Sequence, residues 1–246
     1  MTHPLVSKVA RTLGMTRQVR CDRVVSVQEL LHGGAGGNIL LPSLPQELLD
    51  RDENFEFAAA SIIERVVLGA LVRRQQPTTV FEIGTFRGVT AVTMAANAPA
   101  GSALYTLDLP PEMDADAIAR EHYGDSDGRS GFHQMAKSGT QRHVGAAIEH
   151  YTGACTITQL FGDSTKYDLS EFAGKVDLFF VDGCHEHAGA LADTRTAWKC
   201  LAPGGLIVWH DYTWASVQQA VSDAALDIEV SHVSGTSIGF GTKPGA

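Results

Sequence analysis

Residues 81–88 read Phe-Glu-Ile-Gly-Thr-Phe-Arg-Gly, and this stretch decides the fold. It overlaps the run 79–83, which has the apolar and β-branched residues of a buried strand. Gly84 permits a tight turn at the strand end, and Gly88 allows the following helix to pack closely on the strand. A strand, a glycine turn and a helix in this order are typical of ligand-binding turns at the carboxyl edge of an open parallel sheet.

Similar runs recur along the chain and alternate with helices. They are almost continuously hydrophobic, as parallel strands buried on both faces are. Two final runs flank a Ser-Gly-Thr turn and predict an antiparallel hairpin. We therefore expect an α/β fold: a doubly wound, Rossmann-like, mostly parallel seven-stranded sheet with a C-terminal antiparallel hairpin. The predicted strands are 79–83, 104–109, 156–161, 177–181, 206–209, 228–233 and 237–242, and the predicted helices are 54–74, 90–97, 188–201 and 216–225.

Three segments of different pattern set the expected domain organisation. Residues 1–52 show weak periodicity and a run of glycines, so we expect an N-terminal accessory arm. Residues 53–246 are expected to form one domain, which opens with a core-facing helix capped by Asp52 or Asn54. Within it, residues 110–153 are polar and rich in Gly and His. Connections of this length are usually functional, so we expect a lid on the ligand side of the sheet.

Composition narrows the classes of partner. The chain has 246 residues, with 19 Lys and Arg against 28 Asp and Glu, for a formal net charge of −9. An acidic protein repels phosphate backbones, so we do not expect a nucleic-acid partner. No apolar run reaches the roughly 18 residues of a membrane helix, so we expect no membrane partner. The cysteines contain no C-x-x-C pair and are expected to be reduced thiols of a cytoplasmic protein: Cys21, Cys155, Cys184 and Cys200.

The spacing of the glycines decides which cofactor the first turn suits. A dinucleotide fingerprint reads G-x-G-x-x-G, whereas Gly84 and Gly88 stand four positions apart. Phe86 occupies the position at which a pyrophosphate needs bare backbone. Glu82 would repel a pyrophosphate but suits the ammonium group of an amino acid. NAD is therefore disfavoured, and a phosphate-free ligand with an amino-acid part is favoured.

Acidic residues also follow the next two predicted strands. Asp108 ends the second strand, 24 residues beyond Gly84, where an acid can accept hydrogen bonds from both ribose hydroxyls of an adenosine. Asp163 and Ser164 close the third strand, where Asp163 could accept a hydrogen bond from the adenine amino group. Each acid alone could be a solvated strand end or a helix cap. The ordered set at three successive strand ends favours an adenosine site.

Four motifs in this order resemble those of class I S-adenosylmethionine-dependent methyltransferases. FEIGTFRG at 81–88 resembles the family's E/D-x-G-x-x-x-G turn, and LDL at 107–109 its ribose-binding acid. LFGDS at 160–164 resembles its adenine-side turn, and LAPGGLIVWHDY at 201–212 its L-x-P-G-G strand start. The resemblance spans about 54–243 and implies S-adenosylmethionine as cofactor. The cofactor contacts expected on this basis are Glu82, Gly84, Thr85, Gly88, Asp108, Asp163, Ser164 and Asp182.

The fourth and fifth predicted strands end in residues suited to metal binding and proton transfer. Asp182 ends the fourth strand with His185 three residues on, and His210 and Asp211 end the fifth. Two carboxylates that converge beyond a sheet can hold a divalent cation. A neutral imidazole, with an ordinary pKa of about 6.5, is suited to accept a proton at neutral pH. A helix-capping role for Asp182 and ordinary loop positions for His185 and His187 remain open.

This set of residues resembles the metal-dependent O-methyltransferases of the catechol and macrolide-sugar kinds. In those families an acid at the fourth strand end and an acid pair at the fifth bind Mg²⁺, and a Lys or His three residues after the first ligand is the base. The resemblance implies Asp182, His210 and Asp211 as metal ligands and His185 as the catalytic base. His210 stands where those families have Asp or Glu, so a transition metal is the alternative to Mg²⁺.

The expected function is S-adenosylmethionine-dependent O-methyl transfer to a small hydroxylated molecule, assisted by a divalent cation. The alternatives are a metal-independent methyltransferase with a His base and a non-catalytic S-adenosylmethionine-binding protein. Among the aromatic residues after the fifth strand, Tyr212 is expected to line the acceptor pocket and Trp209 to lie in the core, with Trp214 as a further candidate. The N-terminal arm is a candidate for homo-oligomer contacts.

Overall fold

The computed structural model describes residues 23–32, 38–44, 60–112 and 144–245. Eight strands in these ranges form a single sheet, in the order β1-β7-β8-β6-β5-β2-β3-β4. The strands are β1 (Arg23–Val25), β2 (Thr79–Ile83), β3 (Ala103–Asp108), β4 (Thr156–Phe161), β5 (Val176–Val181), β6 (Leu201–Trp209), β7 (Ser231–Val233) and β8 (Gly239–Thr242). The helices are α1 (Val27–His32), α2 (Ile62–Gln75), α3 (Val89–Asn97), α4 (His187–Cys200) and α5 (Ala215–Asp223), with 3-10 turns at Ile148–His150 and Ser170–Phe172.

The doubly wound α/β prediction is confirmed. Every neighbouring pair of strands is parallel except the two that involve β8, which is antiparallel to β6 and to β7. From β2 the chain runs outward through β3 and β4, then crosses back so that β5 lies on the other side of β2. The strand order therefore reverses between β2 and β5. Open sheets of this kind bind ligands beyond the carboxyl ends of the strands at such a point.

The sheet has one strand more than predicted, because part of the expected arm joins it. β1 pairs in parallel with β7 along its whole length of three residues. Such a short strand has no periodicity that could be recognised in the sequence. Val25 in β1 and Leu30 in α1 are buried in the core. The domain boundary at residue 52 stays a prediction, since 45–59 lie outside the described residues.

The first helix of the main domain begins later than predicted. Asp52 and Asn54, the expected caps, lie outside the described residues, and the prediction that either caps the helix is wrong. The cap is Ser61, whose hydroxyl accepts a hydrogen bond from the Glu64 N–H while the Glu64 carboxylate accepts one from the Ser61 N–H. This reciprocal capping box satisfies two backbone donors at the start of α2. Ile62, which fitted the apolar periodicity, is exposed.

β6 begins earlier than predicted. Residues 201–205 were expected to end the preceding helix at Pro203 and Gly204, but they extend the strand to Leu201. The pairing of β6 with β8 starts only at Leu206. Pro203 therefore lies where no ladder hydrogen bond to β8 is required, which is the kind of strand position that tolerates proline.

Alternate residues of the central strands pack into two separate cores, one on each face of the sheet. Val80, Leu178 and Phe180 pack with α2 and α3 on one face. Phe81 and Phe179 pack on the other face, with their ring centroids 4.9 Å apart. Burial of both faces explains why the strands read as continuous apolar runs. None of the helices in the described ranges is long and apolar enough to cross a membrane.

Candidate active site

The turn after β2 requires glycine at position 84. Gly84 has a φ of +96°, and a Cβ built there would lie 1.9 Å from the backbone oxygen of Asp182. The N–H of Asp182 also donates to the carbonyl of Ile83 at 2.8 Å. The end of β2 is thus in direct backbone contact with the end of β5. Phe86, in the same turn, has a left-handed φ of +46°, which is uncommon for a bulky residue and typical of constrained functional loops.

Gly88 makes a different close approach from the one expected. Its φ of +79° also favours glycine, and a Cβ there would lie 2.8 Å from the Ile148 side chain. The contact is therefore with the last part of the 110–153 insertion, and helix-to-strand packing is not the reason for this glycine. The N–H groups of Gly145 and Ala147 donate to Phe86 and Arg87. The end of the insertion is thereby bonded to the turn, while 113–143, the body of the expected lid, lies outside the described residues.

Glu82 does not face the cleft. Its side chain is fully buried, and its carboxyl group accepts hydrogen bonds from the hydroxyls of Thr90 and Thr106. Burial raises the pKa of Glu82 to about 8, and the charges of nearby acids act in the same direction. Thr85 is buried as well, with its hydroxyl 2.6 Å from that of Thr106. In this conformation both side chains fix the turn from inside.

The acids expected to bind the adenosine lie at the ends of β3 and β4. Asp108 accepts hydrogen bonds from the N–H groups of Phe86 and Leu109, both at 2.7 Å, so it also holds the first turn. Asp163 accepts from the backbone and hydroxyl of Thr165. Ser164 points away from this pair and donates to the buried Asp193 of α4 at 2.7 Å. Asp108 is therefore bonded to the first turn, and Ser164 links the end of β4 to α4.

The residues at the ends of β5 and β6 do come together. His210 Nδ1 lies 3.1 Å from Asp182 Oδ1 and 3.2 Å from Asp211 Oδ2. His185 Nε2 lies 2.9 Å from the same Asp211 oxygen and 3.7 Å from Asp182 Oδ1. We call these four residues the carboxylate–imidazole cluster. Asp211 holds its place with a left-handed φ of +49°, a conformation that costs energy in a residue other than glycine.

A fifth residue of this region, Glu64, was missed in the sequence. Its carboxylate lies 3.5 Å from His210 Nε2 and accepts hydrogen bonds from the backbone and hydroxyl of Ser237. The available signal was the Ser-x-x-Glu spacing at 61–64, which predicts a helix start but no contact with the end of a distant strand.

The charges in the cluster keep its imidazoles protonated. Burial alone would lower the pKa of His185, but the bonds and charges of Asp182 and Asp211 outweigh it and raise that pKa to about 9. Burial opposes the charged form of His210 as well, and Asp182, Asp211 and Glu64 hold its pKa far above the ordinary value. In return, the two histidines keep the pKa of Asp211 well below its usual range despite burial. Without a cation, His185 is therefore protonated at neutral pH.

The donor set fits a divalent cation. Ligand atoms of Asp182, His185 and Asp211 all lie within 4.8 Å of one another. The Nε2 atoms of His185 and His210 are buried but form no regular hydrogen bond among the described residues. Buried polar atoms of this kind call for a partner, and both of these face carboxylates. Two carboxylates with imidazoles suit a transition metal better than Mg²⁺, which prefers an all-oxygen shell.

The aromatic residues after β6 are not arranged as expected. Tyr212, the preferred pocket residue, is only 1% exposed and packs under Gly239 of β8, so that prediction is wrong. Trp209 is buried as expected, and its indole N–H donates to Thr194. Trp214 is 50% exposed, and its ring centroid is 5.2 Å from that of His185. Trp214 is thus the aromatic side chain beside the cluster.

His187 points to a different place. It begins α4 and pairs with Asp223 of α5, 2.9 Å away, on the exposed surface. This histidine is therefore an ordinary surface residue, as the alternative interpretation held.

The family model described as "Methyltransferase domain" matches residues 81–212, from the first turn to the end of β6. The chain belongs to this methyltransferase family. No curated protein sequence matches it. The class I fold and the family membership make the chain an S-adenosylmethionine-dependent methyltransferase, as the motifs predicted.

Solved structures similar to this methyltransferase include other methyltransferases. The S-adenosylhomocysteine-bound methyltransferase PaMTH1 of Podospora anserina is 14% identical, with 100% of this chain and 98% of that chain covered and a TM-score of 0.54. The O-methyltransferase of Bacillus cereus is 17% identical over 80% of this chain and 94% of that chain, with a TM-score of 0.47. TomG of Streptomyces achromogenes, an O-methyltransferase involved in tomaymycin synthesis, is 18% identical over 80% and 92%, with a TM-score of 0.49. At these identities the PaMTH1 likeness shows the fold alone.

Proposed function

We propose that the methyltransferase transfers the methyl group of S-adenosylmethionine to a hydroxyl group of a small molecule, with a divalent cation held at Asp182 and Asp211. The observation that supports this most strongly concerns Asp182. Its backbone touches Gly84 in the cofactor turn, and its carboxylate belongs to the carboxylate–imidazole cluster. A methyl donor at the turn and an acceptor at the cluster would therefore be neighbours.

For the cofactor we propose that the backbone of the 84–88 turn and Asp182 face the methionine part, that Asp108 accepts from the ribose, and that Asp163 lies on the adenine side. One carboxylate oxygen of Asp108 accepts from the Phe86 N–H of the turn and the other from the Leu109 N–H, and a carboxylate oxygen can accept a second hydrogen bond. Glu82, Thr85 and Ser164 would act indirectly, through the turn and α4.

For the cation we propose Asp182, Asp211 and His210 as ligands. A bound cation would lower the pKa of the acceptor hydroxyl and fix its direction. The two imidazoles favour Mn²⁺, Co²⁺ or a similar ion, with Mg²⁺ as the alternative. His185 Nε2 belongs to the same compact set of ligand atoms, and a role as fourth ligand is the alternative to its role as the base.

For the base we propose His185. Its side chain is 41% exposed, against 11% for His210, so it is the imidazole that an acceptor can reach. A cation that neutralises Asp182 and Asp211 would remove the charges that keep His185 protonated. The neutral ring could then take the hydroxyl proton while the acceptor oxygen bonds to the methyl carbon. As that bond forms, the methyl–sulfur bond breaks and the sulfonium becomes a neutral thioether.

For the acceptor we propose a small molecule with a flat or apolar part beside its hydroxyl. Trp214 offers a half-exposed ring next to His185, and aromatic rings stack favourably on flat ligands. The described cysteines, Cys155, Cys184 and Cys200, form no disulfide, which supports a cytoplasmic location.

The test is methyl transfer from tritium-labelled S-adenosylmethionine to a panel of phenols, catechols and sugars, with MnCl₂ or MgCl₂ and after exhaustive chelation. His185→Ala should lower turnover by about 10²- to 10⁴-fold, the usual contribution of a general base, and leave S-adenosylmethionine affinity unchanged in calorimetry. The matched control is His187→Ala, which removes a surface histidine two residues away and should retain full turnover.

Each alternative function gives a different result in the same assay. Turnover that survives chelation would replace the cation with a metal-independent mechanism based on a histidine. Cofactor binding without transfer to any acceptor in the panel would mean that the acceptor is not a hydroxyl compound of these kinds. A His185→Ala variant with undiminished turnover would remove the base assignment and leave this residue as a ligand or a bystander.

A further inference from the structure

Glu64 joins three parts of the fold that are far apart in sequence. It lies in the first turn of α2, where its carboxylate accepts the Ser61 N–H at 2.8 Å. Its other oxygen accepts the N–H and hydroxyl of Ser237, between β7 and β8, at 2.8 and 2.7 Å. The first of these oxygens also faces His210 at the end of β6. The side chain is nearly buried, so these contacts are shielded from water.

The other side of His210 faces the cluster. Nδ1 lies between the carboxylate oxygens of Asp182 and Asp211, at 3.1 and 3.2 Å. Nε2 is buried, and the Glu64 oxygen 3.5 Å away is the carboxylate that faces it. The His210 ring therefore lies between the Glu64 carboxylate at Nε2 and the carboxylates of Asp182 and Asp211 at Nδ1. A carboxylate behind an imidazole fixes the tautomer and orientation of the ring and makes its other nitrogen a better ligand.

We propose that Glu64 is a positioning residue that directs His210 toward the cation. With a cation bound in place of the Nδ1 proton, the Nε2–H of His210 would point at Glu64, and Nδ1 would present its lone pair between Asp182 and Asp211. His210 is then the third ligand, on the buried side of the cluster. His185 stays on the exposed side, where the acceptor can reach it. The inference rests on the proposed function only in assuming that a cation binds at Asp182 and Asp211.

A purely structural role is the competing explanation, because Glu64 also caps α2 and binds the hairpin. The two explanations differ in what a change at Ser61 or Ser237 does. Ser61 donates its backbone N–H to the Glu64 carboxylate, and Ser237 donates its N–H and hydroxyl. Neither serine side chain contacts His210 in the described hydrogen bonds. Loss of either serine hydroxyl should weaken the fold without turning the His210 ring. Loss of the Glu64 charge should do both.

The decisive variant is Glu64→Gln in the full-length chain. The glutamine oxygen can still accept from Ser237, while its amide N–H₂ would face His210 and donate to Nε2. The ring proton would then move to Nδ1 and block the lone pair that the cation needs. We expect the affinity for CoCl₂, measured by calorimetry with no cofactor or acceptor present, to fall about 10- to 100-fold, the usual effect of losing such a partner. We also expect the visible absorption bands of bound Co²⁺ to shift.

Ser61→Ala and Ser237→Ala are the matched controls, and each should bind Co²⁺ within about threefold of the wild-type affinity with an unchanged spectrum. If all three variants weaken Co²⁺ binding equally, or if Glu64→Gln binds Co²⁺ like the wild type, Glu64 is only a structural residue and the inference is wrong. A wild-type chain that binds no Co²⁺, Mn²⁺ or Mg²⁺ would overturn both this inference and the cation of the proposed function. An unaffected Glu64→Gln variant in a chain that does bind Co²⁺ would overturn this inference alone.

Discussion

Glu82 illustrates how strongly its surroundings change the chemistry of a single acid. In the sequence, Glu82 precedes the glycine turn that is expected to hold the methionine part of the cofactor, and a carboxylate there suits an ammonium group. In the fold the strand turns it inward, between Thr90 of α3 and Thr106 of β3. A buried carboxyl group that meets only hydroxyls is more stable when neutral. Glu82 therefore supports the cofactor turn as a protonated acid over most of the neutral range.

The stability of the protein should consequently depend on pH through Glu82. Its pKa is about 8 in the folded chain and 4.5 as a model value. Between these values the folded state holds a proton that the unfolded state has lost, so this contribution is complete below about pH 4.5 and is lost as the pH rises through about 8. We expect Glu82→Gln, which stays neutral, to remove a slope on the order of 1 kcal/mol per pH unit in the free energy of unfolding.

This expectation can be checked by urea unfolding at several pH values from 5 to 9. The matched control is Glu171→Gln, a change at an exposed glutamate, whose curve should run parallel to that of the wild type. A Glu82→Gln curve that also runs parallel to the wild type would show that Glu82 ionises normally in the folded protein.

At the scale of single elements, the predicted bounds are correct where a single strong sequence pattern, such as a run of strand-forming residues, decides them. The strands at 79–83 and 156–161 have the predicted bounds. The start of α2 was predicted too early because Phe55 and Ala59 extend the apolar periodicity of residues 62–71 toward the N-terminus. Periodicity records which residues are apolar, whereas the helix begins where its backbone donors are satisfied.

The residues of the candidate site also fall into a group that the sequence predicts and a group that it does not. Asp182, His185, His210 and Asp211 were identifiable because parallel strand ends share one edge of a sheet. Glu64 was not, because its position depends on how α2 packs against the strand ends. Trp214 was only a further candidate after Tyr212, because its position depends on the turn after Asp211. That turn is closed by a bond from the Trp214 N–H to the Asp211 carbonyl, which no local pattern predicts. The spacing of motifs in the sequence does not predict a side chain that reaches the site only through the packing of separate elements.

The capping box of α2 should contribute measurably to stability. Ser61→Ala removes the hydroxyl that accepts the Glu64 N–H, so we expect the free energy of unfolding to fall by about 1 kcal/mol, within a usual range of roughly 0.5 to 2. Ser61→Thr keeps an equivalent hydroxyl and should lose much less. Urea unfolding of both variants at one pH makes the comparison. Equal stability of the alanine variant and the wild type would mean that α2 does not depend on this cap.

At the scale of the whole molecule, the reversal of strand order connects the cofactor turn to the cluster. The ends of β2, β5 and β6 are joined by backbone bonds from Asp182 to Ile83 and from His210 to Val181. A displacement of one of these strand ends would therefore move the proposed cofactor turn and the carboxylate–imidazole cluster together. The groups proposed to react therefore lie at the ends of strands from the most buried part of the sheet.

A ligand bound at such strand ends should stabilise the entire sheet against unfolding. S-adenosylmethionine at 100 times its dissociation constant should add about 3 kcal/mol to the free energy of unfolding if it binds only the folded chain. For a chain of this size, that corresponds to a rise in Tm of roughly 6 to 12 °C, at about 2 to 4 °C per kcal/mol. Scanning calorimetry with increasing S-adenosylmethionine measures the shift. NAD at equal concentration is the control and should leave Tm unchanged, because Phe86 occupies the position that a pyrophosphate would need; a comparable rise with NAD would instead mean that the 81–88 turn accepts phosphates.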